Sequence, residues 1–218
     1  MKYIKKNQPP QDFTAWKNQK NEDWQPSWDN FQNPQKDLVH QSLLKEQGYI
    51  CCYCERRINQ KNSHIEHFKP RNQDPDLALD YTNLIASCQG ERENLPTIPV
   101  HYGHKKAGWY ETALMVSPLI SDCSDFFRYT DDGQILPTQD PAKQLAAKET
   151  IKRLALDIDK LRKMRSKALE GILDGIEDLS GDDLKKLIAA FEKTSADGKY
   201  TEFYSAIAFI LKQHHINF

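Results

Sequence analysis

CCYCE (residues 51–55), IEHFKPR (65–71), DYTNLIASC (80–88) and HYGHKK (101–106) follow one another in a stretch that ends at Trp109. Cys51 and Cys54 are separated by two residues, so a tight turn can bring both sulfurs to one tetrahedral metal ion. Cys88 is the natural third ligand. His101 is the best candidate for the fourth, and Cys123 is a remote alternative. Cys52 points elsewhere if Cys51 and Cys54 share an ion. Free cysteines are often small buried hydrophobes, but three within four positions favour a soft metal such as zinc.

Between the cysteines lies a second constellation. SHIEHF has strand character, and Lys69-Pro70 ends any central ladder. Glu66 and His67 would face opposite sides of a regular strand. At a strand end the alternation relaxes, and both can approach one phosphate. A neutral imidazole accepts a proton from water near neutral pH, and a carboxylate suits Mg²⁺ or Mn²⁺. Asn83 is a loop-fixing residue type. Leu84 to Ala86 read as a second short strand, which makes a hairpin with His67 near its turn. HYGHKK opens a helix to about Trp109, where a histidine supplies a second ligand to a catalytic metal and Lys105 and Lys106 meet phosphate. Taken alone, a Glu-His pair reads rather as a surface pair with no task, and the lysines as a solvated face.

The rest of the chain is read around that stretch. With 218 residues, one large domain or two small ones are possible. The net charge of −1 gives no global pull on a polyanion. The mean hydropathy of −0.75 and the lack of a ~20-residue apolar run exclude a membrane span. The basic N-terminal residues lack the apolar core of a secretory signal, so a cytoplasmic, disulfide-free protein is expected. Residues 1–34 carry Trp16, Trp24 and Trp28 without a lasting period, and read as an arm whose aromatics pack on the body. A helix is expected over 35–47, between Pro34 and Gly48. TALMVSPL (112–119) reads as a strand, and FFRYTDDGQI (126–135) as a hairpin about Asp132-Gly133. Asp140-Pro141 opens a helical region. Its helices reach about Leu156, run from Asp157 to about Leu179, from Asp182 to about Thr194, and from Thr201 to His214. The organisation is therefore an N-terminal arm and helix (1–48), a core (49–139) and a helical region (140–218).

From Lys143 to Lys167 there are nine Lys or Arg against three acids, a surplus of six positive charges. Lys160, Arg162 and Lys163 lie in it. It is either a nucleic-acid backbone stripe, a solvated helix face or a surface for an acidic partner.

The order Glu66-His67, Asn83, His104 resembles the HNH endonucleases, with their ββα-metal core. CCYCE, IEHFKPR, GHKK, FFRYTDDG and RLALDIDKLRKMR resemble more closely the HNH nuclease subunit of Septu-type anti-phage systems (PtuB-like), found also with some retrons. The resemblance is strongest from Cys51 to Ile135 and thinner after Leu169. It implies an α+β fold with a zinc knuckle of Cys51, Cys54 and Cys88. It implies His67 as general base, Glu66 and His104 as ligands of a catalytic Mg²⁺ or Mn²⁺, and Asn83 as the residue holding the loop that aims His67. It further implies nucleic acid as substrate and an ABC/SMC-type ATPase subunit as partner, docked on the helical region. Two departures stand out. Glu66 replaces the more usual Asp, and no cysteine lies near Tyr102, so either His101 completes the zinc site or the site is incomplete. The spacer 89–100 is also longer than in compact HNH motifs. The alternatives are a zinc-stapled nucleic-acid or protein binding module without turnover, and a structural interaction subunit.

Overall fold

The structure, a computed structural model, describes residues 1–89, 106, 108–176 and 179–216. It is a mixture of helices with two small antiparallel sheets. The arm starts with α1 (Gln11–Lys17), a short helix entered from Pro10. Phe13, Trp16, Trp24, Trp28 and Phe31 form one ring-on-ring cluster with centroid spacings of 5.1–6.0 Å. The arm is thus held by packed aromatics, as its composition predicts.

Helix α2 (Gln35–Glu46) follows Pro34 and buries Val39, His40, Leu43 and Leu44. It ends where Gly48 takes φ +55°, so that the amides of Gly48 and Tyr49 fold back on Lys45 and Leu44. An added Cβ at Gly48 would lie 2.3 Å from the Tyr200 ring. The chain then enters the cysteine turn, closed by the Ile50–Arg57 bridge.

Strands β1 (Ser63–His67) and β2 (Leu84–Cys88) pair antiparallel, His67 opposite Leu84 and Ser63 opposite Cys88. β2 is buried throughout and lies against α2. The helix expected over 101–109 falls largely outside the described residues, so this hairpin is described without it. The second sheet pairs β3 (Phe127–Tyr129) with β4 (Ile135–Pro137) about Gly133 at φ +83°.

The strand expected over 112–119 is not formed. That segment runs as turns. Its polar groups go elsewhere: the Met115 amide bonds Glu111, the Val116 amide bonds the Thr150 hydroxyl, and the Pro118 carbonyl accepts from Ile4. Among the described residues no strand lies beside it, and β-propensity alone does not make a ladder.

Asp140 caps α3 (Pro141–Arg153) through the Ala142 amide at 2.9 Å, with Pro141 at the first position. Then come α4 (Asp159–Leu173), α5 (Gly181–Phe191) and α6 (Tyr204–Ile216). Ser180, in the expected break, caps α5 through the Asp183 amide. One cluster of buried side chains extends from Met1 through the cysteine turn and both sheets to Leu211.

The C-terminal segment is tied to the cysteine turn. Glu55 accepts from the Ser205 amide at 2.7 Å, and its carbonyl accepts from Phe203. Arg57 donates to the carbonyls of Gly48, Tyr49 and Tyr200. The amino nitrogen of Met1 lies 3.1 Å from the Glu55 carboxylate.

Candidate active site and cysteine cluster

The cysteine turn is built by backbone. The Cys51 amide bonds the Arg56 carbonyl, the Glu55 amide bonds the Cys51 carbonyl, and Glu55 itself takes φ +63°. This folds Cys51 and Cys54 onto the end of β2. The ligand atoms of Cys51, Cys54 and Cys88 all lie within 4.8 Å of one another, and Cys54 Sγ is 3.9 Å from Cys88 Sγ. A tetrahedral zinc with bonds of ~2.3 Å sets its sulfurs about 3.8 Å apart. The three buried thiols therefore fit a soft metal ion with little adjustment. Burial pushes thiols up, and it does so at Cys52; Cys51 is nevertheless held well below the usual range by hydrogen bonds from Cys52, Cys54 and Cys88. Cys88 is pushed up by its bonds to Cys51 and Cys54 and by burial. Cys123, the alternative ligand, is remote and donates to the Met1 carbonyl at 3.4 Å. His101 lies outside the described residues.

His67 ends β1 beside an open cleft of about 340 Å³ lined by Ile65, Glu66, Pro70, Arg71, Asn72 and Gly108 as well. Its Nε2 is 2.9 Å from the Ala78 carbonyl. A carbonyl only accepts, so Nε2 carries the hydrogen and Nδ1 is left with the lone pair. The Trp28 ring stands edge-on to the imidazole, 4.2 Å away at 70°. Burial lowers the His67 pKa below the ordinary value, and the charges of Arg71 and Lys106 act in the same direction against the Ala78 carbonyl and Glu66. The ring is therefore neutral at neutral pH.

Asn83 is buried and clasps the loop after His67. Its Oδ1 accepts from the Lys69 amide at 2.8 Å, and its Nδ2 donates to the carbonyls of Lys69 at 3.0 Å and Leu77 at 3.3 Å. Its own carbonyl accepts from the Phe68 amide.

Glu66 faces a different neighbourhood. Its Oε1 lies 2.7 Å from Lys106 Nζ and its Oε2 3.2 Å from His64 Nε2. Burial pushes this carboxyl up, but His64 and Lys106 together hold it below its usual value. Lys106 is 1% exposed. It does not meet phosphate as its place in HYGHKK suggested, because all its reach is spent inward. His104 and Lys105 lie outside the described residues.

The basic surplus of the helical region is partly engaged. Arg165 is buried, donating to the carbonyls of Gly133 and Leu156. Arg162 pairs with Asp157 at 2.8 Å, Arg153 with Glu149, and Lys143 with Asp122. Lys160 is half-buried, with Arg56 close enough to lower its pKa in addition to burial. Lys163 remains on the exposed face. Part of the counted surplus is thus spent inside the fold, while Lys148, Lys152 and Lys167 are exposed as Lys163 is. Cations do stand near His67: Arg71 and Lys36 lie over the Trp28 ring at 5.3 and 5.2 Å, and Lys69 over Tyr110 at 5.8 Å. Arg71 and Lys69 are 45% and 39% exposed. The sequence signal for Arg71 and Lys69 was present in IEHFKPR. Trp28 carried none, because its contact crosses about 40 residues of chain.

No family model matches the chain. Curated proteins do, two of them named as putative HNH endonucleases. One is "Retron Vc95 putative HNH endonuclease" of Vibrio cholerae serotype O1 biovar El Tor, 30% identical over 143 residues, 63% of this chain and 66% of that protein. Another is "Retron Ec83 putative HNH endonuclease" of Escherichia coli, 26% identical over 183 residues, 66% of this chain and 70% of that protein. "Septu protein PtuB" of Bacillus thuringiensis is 32% identical over 56 residues, 25% of this chain and 22% of its own length. The match to the first thus spans just under two thirds of that protein.

Proposed function

We propose that the chain is an endonuclease that hydrolyses phosphodiester bonds in nucleic acid, with His67 as general base. The observation that carries this reading is the imidazole itself. It is neutral, it is locked by Ala78 and Trp28 so that Nδ1 is the accepting nitrogen, and it borders a cleft with Arg71. Nδ1 takes a proton from water as the water oxygen bonds phosphorus; the bond from phosphorus to the 3′ oxygen breaks, and that oxygen takes up a proton from solvent. The products carry 5′-phosphate and 3′-hydroxyl ends. Positioned proton transfer of this kind contributes ~10²–10⁴-fold. Arg71 and Lys69 are placed to hold the substrate backbone.

The Cys51, Cys54 and Cys88 sulfurs fit zinc, which would brace the turn that carries them; His101 is the proposed fourth ligand. The Mg²⁺ or Mn²⁺ expected between Glu66 and His104 fits less well, because the Glu66 carboxylate is already paired with Lys106. His104 remains the proposed ligand of such an ion.

The retron and Septu names of the relatives support a nuclease role in a defence system; an ABC/SMC-type ATPase subunit as partner, and DNA or RNA (including tRNA) as substrate, belong to the proposal through the motif resemblance. A zinc-braced binding module without turnover is the second reading, favoured by the engaged Glu66. The test is cleavage of DNA and RNA by the purified protein, with and without Mg²⁺ and with the product of the adjacent gene. His67→Ala should abolish cutting with its fold intact. Equal rates for His67→Ala and wild type would refute the assignment, and zinc without cutting under all conditions would favour the binding module.

A further inference from the structure

Lys106 is among the largest side chains that are fully buried. Its Nζ lies 2.7 Å from Glu66 Oε1 and 2.8 Å from each of the carbonyl oxygens of His67 and Phe68. An ammonium has three N–H donors and no acceptor, so this set uses them all. A buried charge is tolerated when it is paired and its hydrogen bonds are complete, and both conditions hold here. One carboxylate and two main-chain carbonyls are also the hard oxygens that a small divalent ion takes. They stand at hydrogen-bond distance, however, and not at the ~2.0–2.1 Å of Mg²⁺ coordination.

The placement of the three acceptors matters. The two carbonyls follow directly on His67, where β1 gives way to the loop. Asn83 holds the next residue, Lys69, by both its amide and its carbonyl. Lys106 thus fixes two successive peptide groups and Asn83 the third. Between them they set the direction in which β1 presents the imidazole.

We infer that Lys106 is the resident cation of this site: a positioning residue whose ammonium, in place of a divalent ion, is the counter-charge of Glu66 and holds the backbone that aims His67. The positioning part rests on the reading of His67 as base; the counter-charge part does not. Arginine cannot substitute well, because its planar fork does not converge on three oxygens around one nitrogen.

The test is ¹⁵N NMR of lysine ammonium groups in the full chain. A slowly exchanging Nζ resonance is expected in the wild type, absent from Lys106→Met, shifted in Glu66→Gln and unmoved by excess Mg²⁺. Should Lys106→Met fail to fold, Lys106→Arg keeps the charge and gives the same assignment. Absence of a protected ammonium in the wild type, or its loss on adding Mg²⁺, would overturn the inference, the latter by handing Glu66 to the metal. In cleavage, Lys106→Arg should lower kcat by about 10²-fold, the scale of a mis-aimed group, with KM within about twofold. An unchanged kcat would refute the positioning role. A protected resonance in a protein that cuts nothing would refute the base reading while leaving the counter-charge in place.

Discussion

Asn83→Ala removes three side-chain bonds at once. The Lys69 amide, the Lys69 carbonyl and the Leu77 carbonyl lose partners at 2.8, 3.0 and 3.3 Å. Each buried group left unpaired costs ~1–3 kcal/mol. Lys69 is partly open to water and the Leu77 bond is long, so the low end applies and the sum is about 3 kcal/mol. For a chain of this length that corresponds to about 6–12 °C in Tm. Thermal and urea unfolding followed by circular dichroism measure it. Asn83→Asp keeps the acceptor for the Lys69 amide but loses both donors and faces two carbonyls with a negative charge, so it should be at least as destabilised. A loss under about 1 kcal/mol for Asn83→Ala would refute the view that this side chain closes the loop. Cleavage by the folded variant should also fall, since the loop carries the aim of His67.

Other outcomes follow from the same contacts. Zinc should co-purify at about one ion per chain; Cys54→Ser should lose it and Cys123→Ser should keep it, as metal analysis would show. Arg71→Glu should weaken nucleic-acid binding and reduce the salt slope by about one, whereas Arg162→Glu, which breaks the Asp157 pair, should lower stability and leave the slope unchanged. His67 and His40 both have pKa values lowered mainly by burial. The unfolded chain therefore binds more protons, and their contribution is intact above the ordinary value of ~6.5 and lost as pH falls below it. His67→Gln should flatten that fall in a urea titration. The acid limb of the cleavage profile should likewise lie below ~6.5. Gly133→Ala should destabilise, because φ is +83° and the new Cβ would sit 2.3 Å from the Arg162 carbonyl.

Much of this was legible in local chemistry. Pro34 and Gly48 bound α2, Asp140-Pro141 starts α3, and Asp132-Gly133 turns the second hairpin because those residues act on their own backbone. The β1–β2 pairing was legible in the apolar runs around Ile65 and Ile85. Long-range placement was not. Nothing near Lys106 in the chain says that its ammonium goes inward to Glu66, since a lysine reads as solvated until a buried carboxylate is opposite it. Charge counting over 143–167 missed part of the picture for a related reason: Arg165 and Arg162 are spent on Gly133, Leu156 and Asp157, partners that a local sum does not see. The segment 112–119 had strand composition but, among the described residues, no partner strand.

The bonds that join residues 200–205 to Glu55 and Arg57 have a mechanical side. The last long helix begins on the same few residues that shape the cysteine turn, and the turn in turn abuts β2. Tugging on that helix is therefore tugging on the sulfurs. Trimming the polypeptide before residue 200 would take Ser205 from Glu55 and the Tyr200 carbonyl from Arg57 and open a hole beside the cysteine turn, so residues 51–57 and 200–205 act as one mechanical unit.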